Sequence, residues 1–179
     1  MRQDSATTKP RVTFKEKQQQ HSHVEGPVAK TYSVSKTFHA PLDFVYSWCT
    51  DFRADDNKMV GSNLRRHFFE RSPRRYVWLL KRKVRKKTIE GLRVVWLTPP
   101  DSWRLSTCGD KFEEGTYKLT PVGKRTRLDM TFRVIYEDPK KVPSTRELVS
   151  GDKNDWNSFA KYLEKDYQAF AEKQAKRKR

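Results

Sequence analysis

No stretch of the chain is apolar for anything like the ~20 residues of a membrane-spanning helix, and the first residues lack the apolar centre of a secretory signal. A soluble, cytoplasmic protein without a transmembrane segment is therefore expected. Cysteine is scarce: Cys49 and Cys108 are the two present. They are too far apart to form a close metal-ligand or redox pair, so both are expected as reduced thiols in or near the core. Histidine is scarce as well. His21 and His23 lie in a polar tail, where a lone His-x-His is ordinarily exposed and idle, and His39 and His67 read as strand-end or surface residues. There is no Gly-x-Ser-x-Gly, no Walker loop, no dinucleotide fingerprint and no His-Glu-x-x-His. Asp51, Asp55 and Asp56 lack the pattern of a calcium loop and read as helix caps. The sequence thus assigns no catalytic residue, no metal and no cofactor.

Positive charge is plentiful. The 179 residues hold 39 Lys and Arg against 22 Asp and Glu, a formal charge of +17. Charge of this size attracts polyanions or anionic surfaces and says nothing about fold. It is concentrated between Leu64 and Arg93. There, Arg65, Arg66, Arg74, Arg75, Lys81, Lys83, Arg85, Lys86 and Lys87 are the candidates for contact with a nucleic acid or an anionic membrane surface. The plainer alternative is a solvated, solubilising face.

The apolar residues organise the rest. Trp156, Phe159, Ala160, Leu163, Tyr167, Phe170 and Ala171 recur at helical spacing, which predicts one long amphipathic helix over Asp152 to Lys176. Ser144-Thr145-Arg146-Glu147 reads as a capping box for a short preceding turn, with Gly151 as an interruption. Upstream, Tyr32, Val34 and Phe38 alternate with polar residues as a first strand over Thr31 to His39. Pro41 and the apolar stripe from Leu42 to Cys49 then predict a short helix, and a second short helical piece falls near Met59, closed by Gly61. Six more strands follow between turn signals: Leu64 to Arg71, Arg74 to Val84, Lys86 to Thr98, Ser102 to Cys108, Phe112 to Thr120, and the alternation from Leu128 to Tyr136. Short connections make these six an antiparallel meander. Residues 1–28 read as a disordered polar tail, 29–174 as one domain, and 175–179 as a basic tail.

That order of elements resembles the START/polyketide-cyclase (SRPBCC) superfamily. So do the step Thr37-Phe38-His39-Ala40-Pro41-Leu42-Asp43-Phe44-Val45-Tyr46, the Pro99-Pro100-Asp101-Ser102-Trp103 step, the Gly115-Thr116-Tyr117 strand and the Gly123-Lys124-Arg125-Thr126-Arg127-Leu128 hairpin. The resemblance implies an α+β helix-grip fold: a curved seven-stranded antiparallel sheet wrapped around the C-terminal helix, with two short helices after the first strand. It also implies a cavity between sheet and helix for a hydrophobic or amphipathic, lipid-like or aromatic small molecule. The expected lining is Tyr32, Trp78, Leu80, Trp96, Trp103, Tyr117, Met130, Phe132, Phe159 and Leu163, residues that would equally suit an ordinary core. Contact with nucleic acid or an anionic surface through the basic face at 65–93 is the alternative. A cyclase- or hydratase-like enzyme is a third reading, which the superfamily allows and no motif carries.

Overall fold

The computed structural model describes residues 26–53, 56–84 and 87–177. Readings placed elsewhere lie outside these residues: most of the N-terminal tail with its His21/His23 pair, Asp55 as a cap, Arg85 and Lys86 as polyanion contacts, and the basic end at Lys178 and Arg179.

The chain begins with β1 (Val28–Phe38), followed by α1 (Leu42–Thr50) and α2 (Asp56–Met59). The strands β2 (Arg65–Arg71), β3 (Arg75–Val84), β4 (Lys87–Thr98), β5 (Ser102–Cys108), β6 (Phe112–Val122) and β7 (Arg125–Tyr136) come next. A 3-10 turn (Pro139–Lys141) leads to α3 (Thr145–Arg177). Consecutive strands from β2 to β7 pair antiparallel through short connections, as two-residue and similarly tight turns require. The crossover through α1 and α2 is long enough to carry the chain from one edge of the sheet to the other. Hence β1 pairs with β7, and the order is β1-β7-β6-β5-β4-β3-β2.

One face of the sheet is apolar and covered. Val34, Phe38, Val95, Leu119, Leu128, Met130 and Val134 are buried there, together with Ala160 and Leu163 of α3. The helix lies mainly against β1. Lys36 Nζ donates to Asn157 Oδ1 at 2.8 Å, and the His39 backbone N–H donates to Glu164 Oε1 at 3.0 Å. α1 is tied to the same helix by Trp48 Nε1, which donates to Asp166 Oδ2 at 2.8 Å, while the Arg53 guanidinium stacks 4.9 Å over the Trp48 ring. Sheet, α1 and α3 therefore form three walls, and the remaining space lies between them.

Two local expectations are corrected. Gly151 does not interrupt a helix: α3 runs 33 residues without a break, because a Cβ-less residue costs a helix interior only about 1 kcal/mol and packing on the sheet outweighs it. The capping box does form, and it starts this one helix. Ser144 N–H donates to Glu147 Oε2 at 2.8 Å, and Glu147 N–H donates back to Ser144 Oγ at 3.2 Å. Cys108, expected near the core, is exposed, since its place in β5 shares the outward parity of Arg104 and Ser106. Cys49 is half-buried on α1.

Candidate functional site

Between the inner face of the sheet and the two helices lies a cavity of about 460 Å³. That size is typical of small-molecule sites, which run to roughly 300–1,000 Å³. Its walls follow from two periodicities. Strand parity turns Leu80 of β3, Trp103, Leu105 and Thr107 of β5, Glu113 and Tyr117 of β6 and Phe132 of β7 inward. Helical spacing of three and four places Asp152, Asp155, Trp156 and Phe159 of α3 along one stripe above them. Trp48 and Cys49 of α1 and the following Phe52 close one side.

The middle of the cavity is aromatic. Trp103 and Tyr117 stack at 4.8 Å with their planes 11° apart, and Phe132 meets Tyr117 edge-on at 5.6 Å. Trp156 and Phe159 continue the wall at 5.4 Å from one another. Gly115 leaves these rings their room, since a Cβ there would come within 3.1 Å of Tyr117 and 3.2 Å of Phe132. Phe52 sits at φ 44°, a left-handed conformation that costs a non-glycine residue about 1–3 kcal/mol. The turn aims its ring at Tyr76 and Trp78, 5.2 Å from each.

The two ends are charged. At one, near α2, Asp56 faces Arg66 and Arg82, and the Arg66 guanidinium donates to Asp56 at 2.8 Å; Glu90 borders this end, but its carboxylate is turned to Lys81 on the outer face. At the other end, Asp110, Glu113, Asp152 and Asp155 face Arg93 and Lys111. Arg93 Nε donates to Thr107 Oγ1 at 2.7 Å and its Nη2 lies 3.4 Å from Glu113, which Lys111 approaches at 2.8 Å. Burial alone would raise the Glu113 carboxyl, but these two cations outweigh it and hold the group below its ordinary value. Asp152 is the opposite case. Burial raises its carboxyl, the Tyr32 hydroxyl against it offsets part of the rise, and Glu113 adds to it. Its Oδ2 is enclosed and has no hydrogen-bond partner among the described residues. Burial likewise raises the Cys49 thiol, which is therefore no thiolate nucleophile at neutral pH.

The ten expected lining residues divide three ways. Leu80, Trp103, Tyr117, Phe132 and Phe159 line the cavity. Tyr32, Trp78, Met130 and Leu163 are buried in the packing around it. Trp96 is a correction: register sets it between Arg75 and Arg104 on the outer face, with the Arg104 guanidinium 4.7 Å over its ring. Val94, Val95, Trp96 and Leu97 are four consecutive apolar residues, so the pattern left the phase of β4 open. Sequence reasoning missed Arg93, Glu113 and Asp152. The first two carried a usable signal, because each is a charged residue sharing inward parity with apolar neighbours, Val95 and Tyr117.

The basic candidates also divide. Arg66 is corrected, since it shares the inward parity of Phe68, points into the cavity and is paired with Asp56. Arg75 is held by Glu70 at 2.8 Å and Lys81 by Glu90 at 2.8 Å. Arg65, Arg74, Lys83 and Lys87 are exposed, with no acidic partner among the described residues. Arg65 and Lys83 share the outer face with an unbroken cross-strand row: His67, Leu79, Leu92, Cys108, Phe112, Ile135 and Ala29, one from each strand. Lys87 has the opposite parity, that of Ile89 and Gly91. Val77 and Val94 pair in the adjoining row, and Leu92 is 43% exposed.

No protein-family profile matches the chain, and no curated protein matches it in sequence. Solved structures do match in fold. TTHA0849 from Thermus thermophilus is 20% identical with a TM-score of 0.58, over 78% of this chain and 98% of that one. The Zhui aromatase/cyclase from Streptomyces sp. R1128 is 14% identical with a TM-score of 0.59, over 76% and 94%. Ara h 8.0201 is 10% identical with a TM-score of 0.61, over 76% and 98%. Among the described residues no helix is long and apolar enough to cross a membrane. The chain shares with these structures the helix-grip fold, a seven-stranded antiparallel sheet with a long C-terminal helix and short helices after the first strand.

Proposed function

We propose that this protein binds a hydrophobic or amphipathic small molecule in the cavity between the sheet and α3. The observation that carries the reading is the cavity itself: about 460 Å³ between aromatic walls, in a domain with ample side chains to fill it. Empty apolar space forfeits packing on every wall, so a fold that keeps it open needs a reason. That a solved structure of this fold is an aromatase/cyclase, and another is Ara h 8.0201, fits the reading without naming a ligand.

The test is native mass spectrometry before and after mild organic extraction, followed by titration of the extracted protein with 2-naphthylethanol. Uptake of this uncharged probe is expected, and Leu105→Trp, which projects an indole into the cavity, should weaken it at least tenfold while the circular dichroism spectrum is kept. Folded, extracted protein that takes up no apolar probe would refute the reading.

A second reading is favoured by the outer face. A mostly apolar row crossing the sheet, beside exposed Arg65 and Lys83, suits contact with an anionic bilayer better than with nucleic acid. Its aliphatic members Leu79, Leu92 and Ile135 gain from lipid and offer no surface for stacking bases, which leaves bases only Phe112 and His67.

A further inference from the structure

The cavity departs from the rest of the molecule in sign. The chain carries +17 overall, yet the side chains lining the cavity include five carboxylates and four basic groups, a formal −1, with the Glu90 carboxylate turned away to Lys81. The deficit is local. The end near α2 sets Asp56 against Arg66 and Arg82, whereas the Asp152 end sets Asp110, Glu113, Asp152 and Asp155 against Arg93 and Lys111. Within that end Glu113 is already engaged by Lys111 at 2.8 Å and by Arg93 at 3.4 Å. Among the described residues Asp152 has no cation within ion-pair distance; the Tyr32 hydroxyl and the more distant Lys111 offset part of its burial, and its Oδ2 has no donor. A buried carboxylate oxygen left without a donor is costly, and an occupant that brings a cation to this end offsets the cost.

The surroundings decide what kind of cation. Among the described residues, no group of three or more His, Cys, Asp or Glu side chains is placed to hold a metal ion. The carboxylates are instead set beside Trp156, Tyr117 and Trp103, whose ring faces attract an ammonium and whose area suits a flat or apolar body. We propose, resting on the reading of this cavity as a ligand site, that it selects an organic cation: a molecule with an apolar or aromatic body among these rings and a protonated amine against Asp152.

Three probes of one shape test this: 2-naphthylethylamine, 2-naphthylethanol and 2-naphthylacetate, titrated calorimetrically at pH 7 into the extracted full-length protein. The overall field of a +17 chain favours the carboxylate, so a preference for the amine reports the cavity alone. The amine is expected to bind about tenfold tighter than the alcohol, as one charge-assisted hydrogen bond provides, and the acetate weakest. Asp152→Asn should bring the amine down to the level of the alcohol and leave the alcohol unchanged; Asp152→Ser should do the same if the amide variant fails to fold. An amine bound no tighter than the alcohol, or a preference that survives both variants, overturns the inference and leaves the cavity reading standing. If the alcohol and its two analogues all fail to bind, the cavity reading falls and this inference with it.

Discussion

Asp152 shows how one residue records a conflict between helix, sheet and site. It lies on the stripe of α3 that faces the sheet, where apolar groups would pack best, and it is a carboxylate. Its carboxyl is raised above its unfolded value, which fixes the sign of its effect on stability. A raised group favours the folded state fully below its unfolded pKa of ~3.9, and that contribution is lost as pH rises through the folded value. Asp152→Asn removes the titration. In thermal melts of ligand-free protein the variant is therefore expected to melt higher than the parent at pH 7, with the difference shrinking to nothing below pH ~4. A variant that melts lower at pH 7, or a difference that does not change with pH, would show that the carboxylate is stabilising and has a partner when buried. The same residue marks the limit of what the sequence disclosed. In the sequence Asp152 is simply the first residue of the amphipathic run over Asp152 to Lys176. The capping box at Ser144 does mark the upstream start, at Thr145, but reading Gly151 as a break cut the helix in two, and nothing in the sequence says that this acid lies over a cavity.

At the scale of elements, α3 combines a good start with a weak point. The capping box satisfies two free N–H groups at once, and Ser144→Ala is expected to cost about 1 kcal/mol. Gly151 lies inside the same helix, and a Cβ there meets nothing within 4 Å. Gly151→Ala should therefore stabilise by about 0.5–1 kcal/mol, since it removes backbone freedom from the unfolded chain and adds no clash. Chemical denaturation checks both. An alanine that destabilises at 151 would reveal a bend or contact there that matters to the cavity roof. Element type and order were legible because strands with one wet face alternate cleanly. β5 and β7 show this, with Trp103, Leu105 and Thr107 inward in the one and Leu128, Met130, Phe132 and Val134 in the other. Phase was lost where both faces are apolar, as in β4, and with it went the placement of Trp96. It was also lost where a charge was assumed to face water, as for Arg66 and Arg93. Parity, not polarity, decides the side of a strand.

At the scale of the whole molecule, the two faces of the sheet have opposite tasks. The inner face and the helices enclose the cavity, while the outer face presents the row from His67 to Ala29 with aliphatic side chains at Leu79, Leu92 and Ile135. Self-association through this row is opposed by the repulsion between two chains of +17. An anionic bilayer answers both features, with lipid for the row and headgroups for Arg65 and Lys83. Each cation near such a surface contributes about 1 kcal/mol, or roughly fivefold in affinity, and the effect fades over a Debye length of about 8 Å at physiological salt. Co-sedimentation with phosphatidylserine-containing vesicles should thus fall steeply as salt rises, and should vanish with phosphatidylcholine alone. Replacing Arg65 and Lys83 with Gln should weaken it about 25-fold if the two act independently. Leu92→Asp should weaken it further at any salt, because it sets a negative charge in the middle of the row. Binding that ignores Leu92→Asp but follows these two cations would assign the face to charge alone. RNA would then be the partner to try, with the outer apolar row left to ordinary solvent exposure.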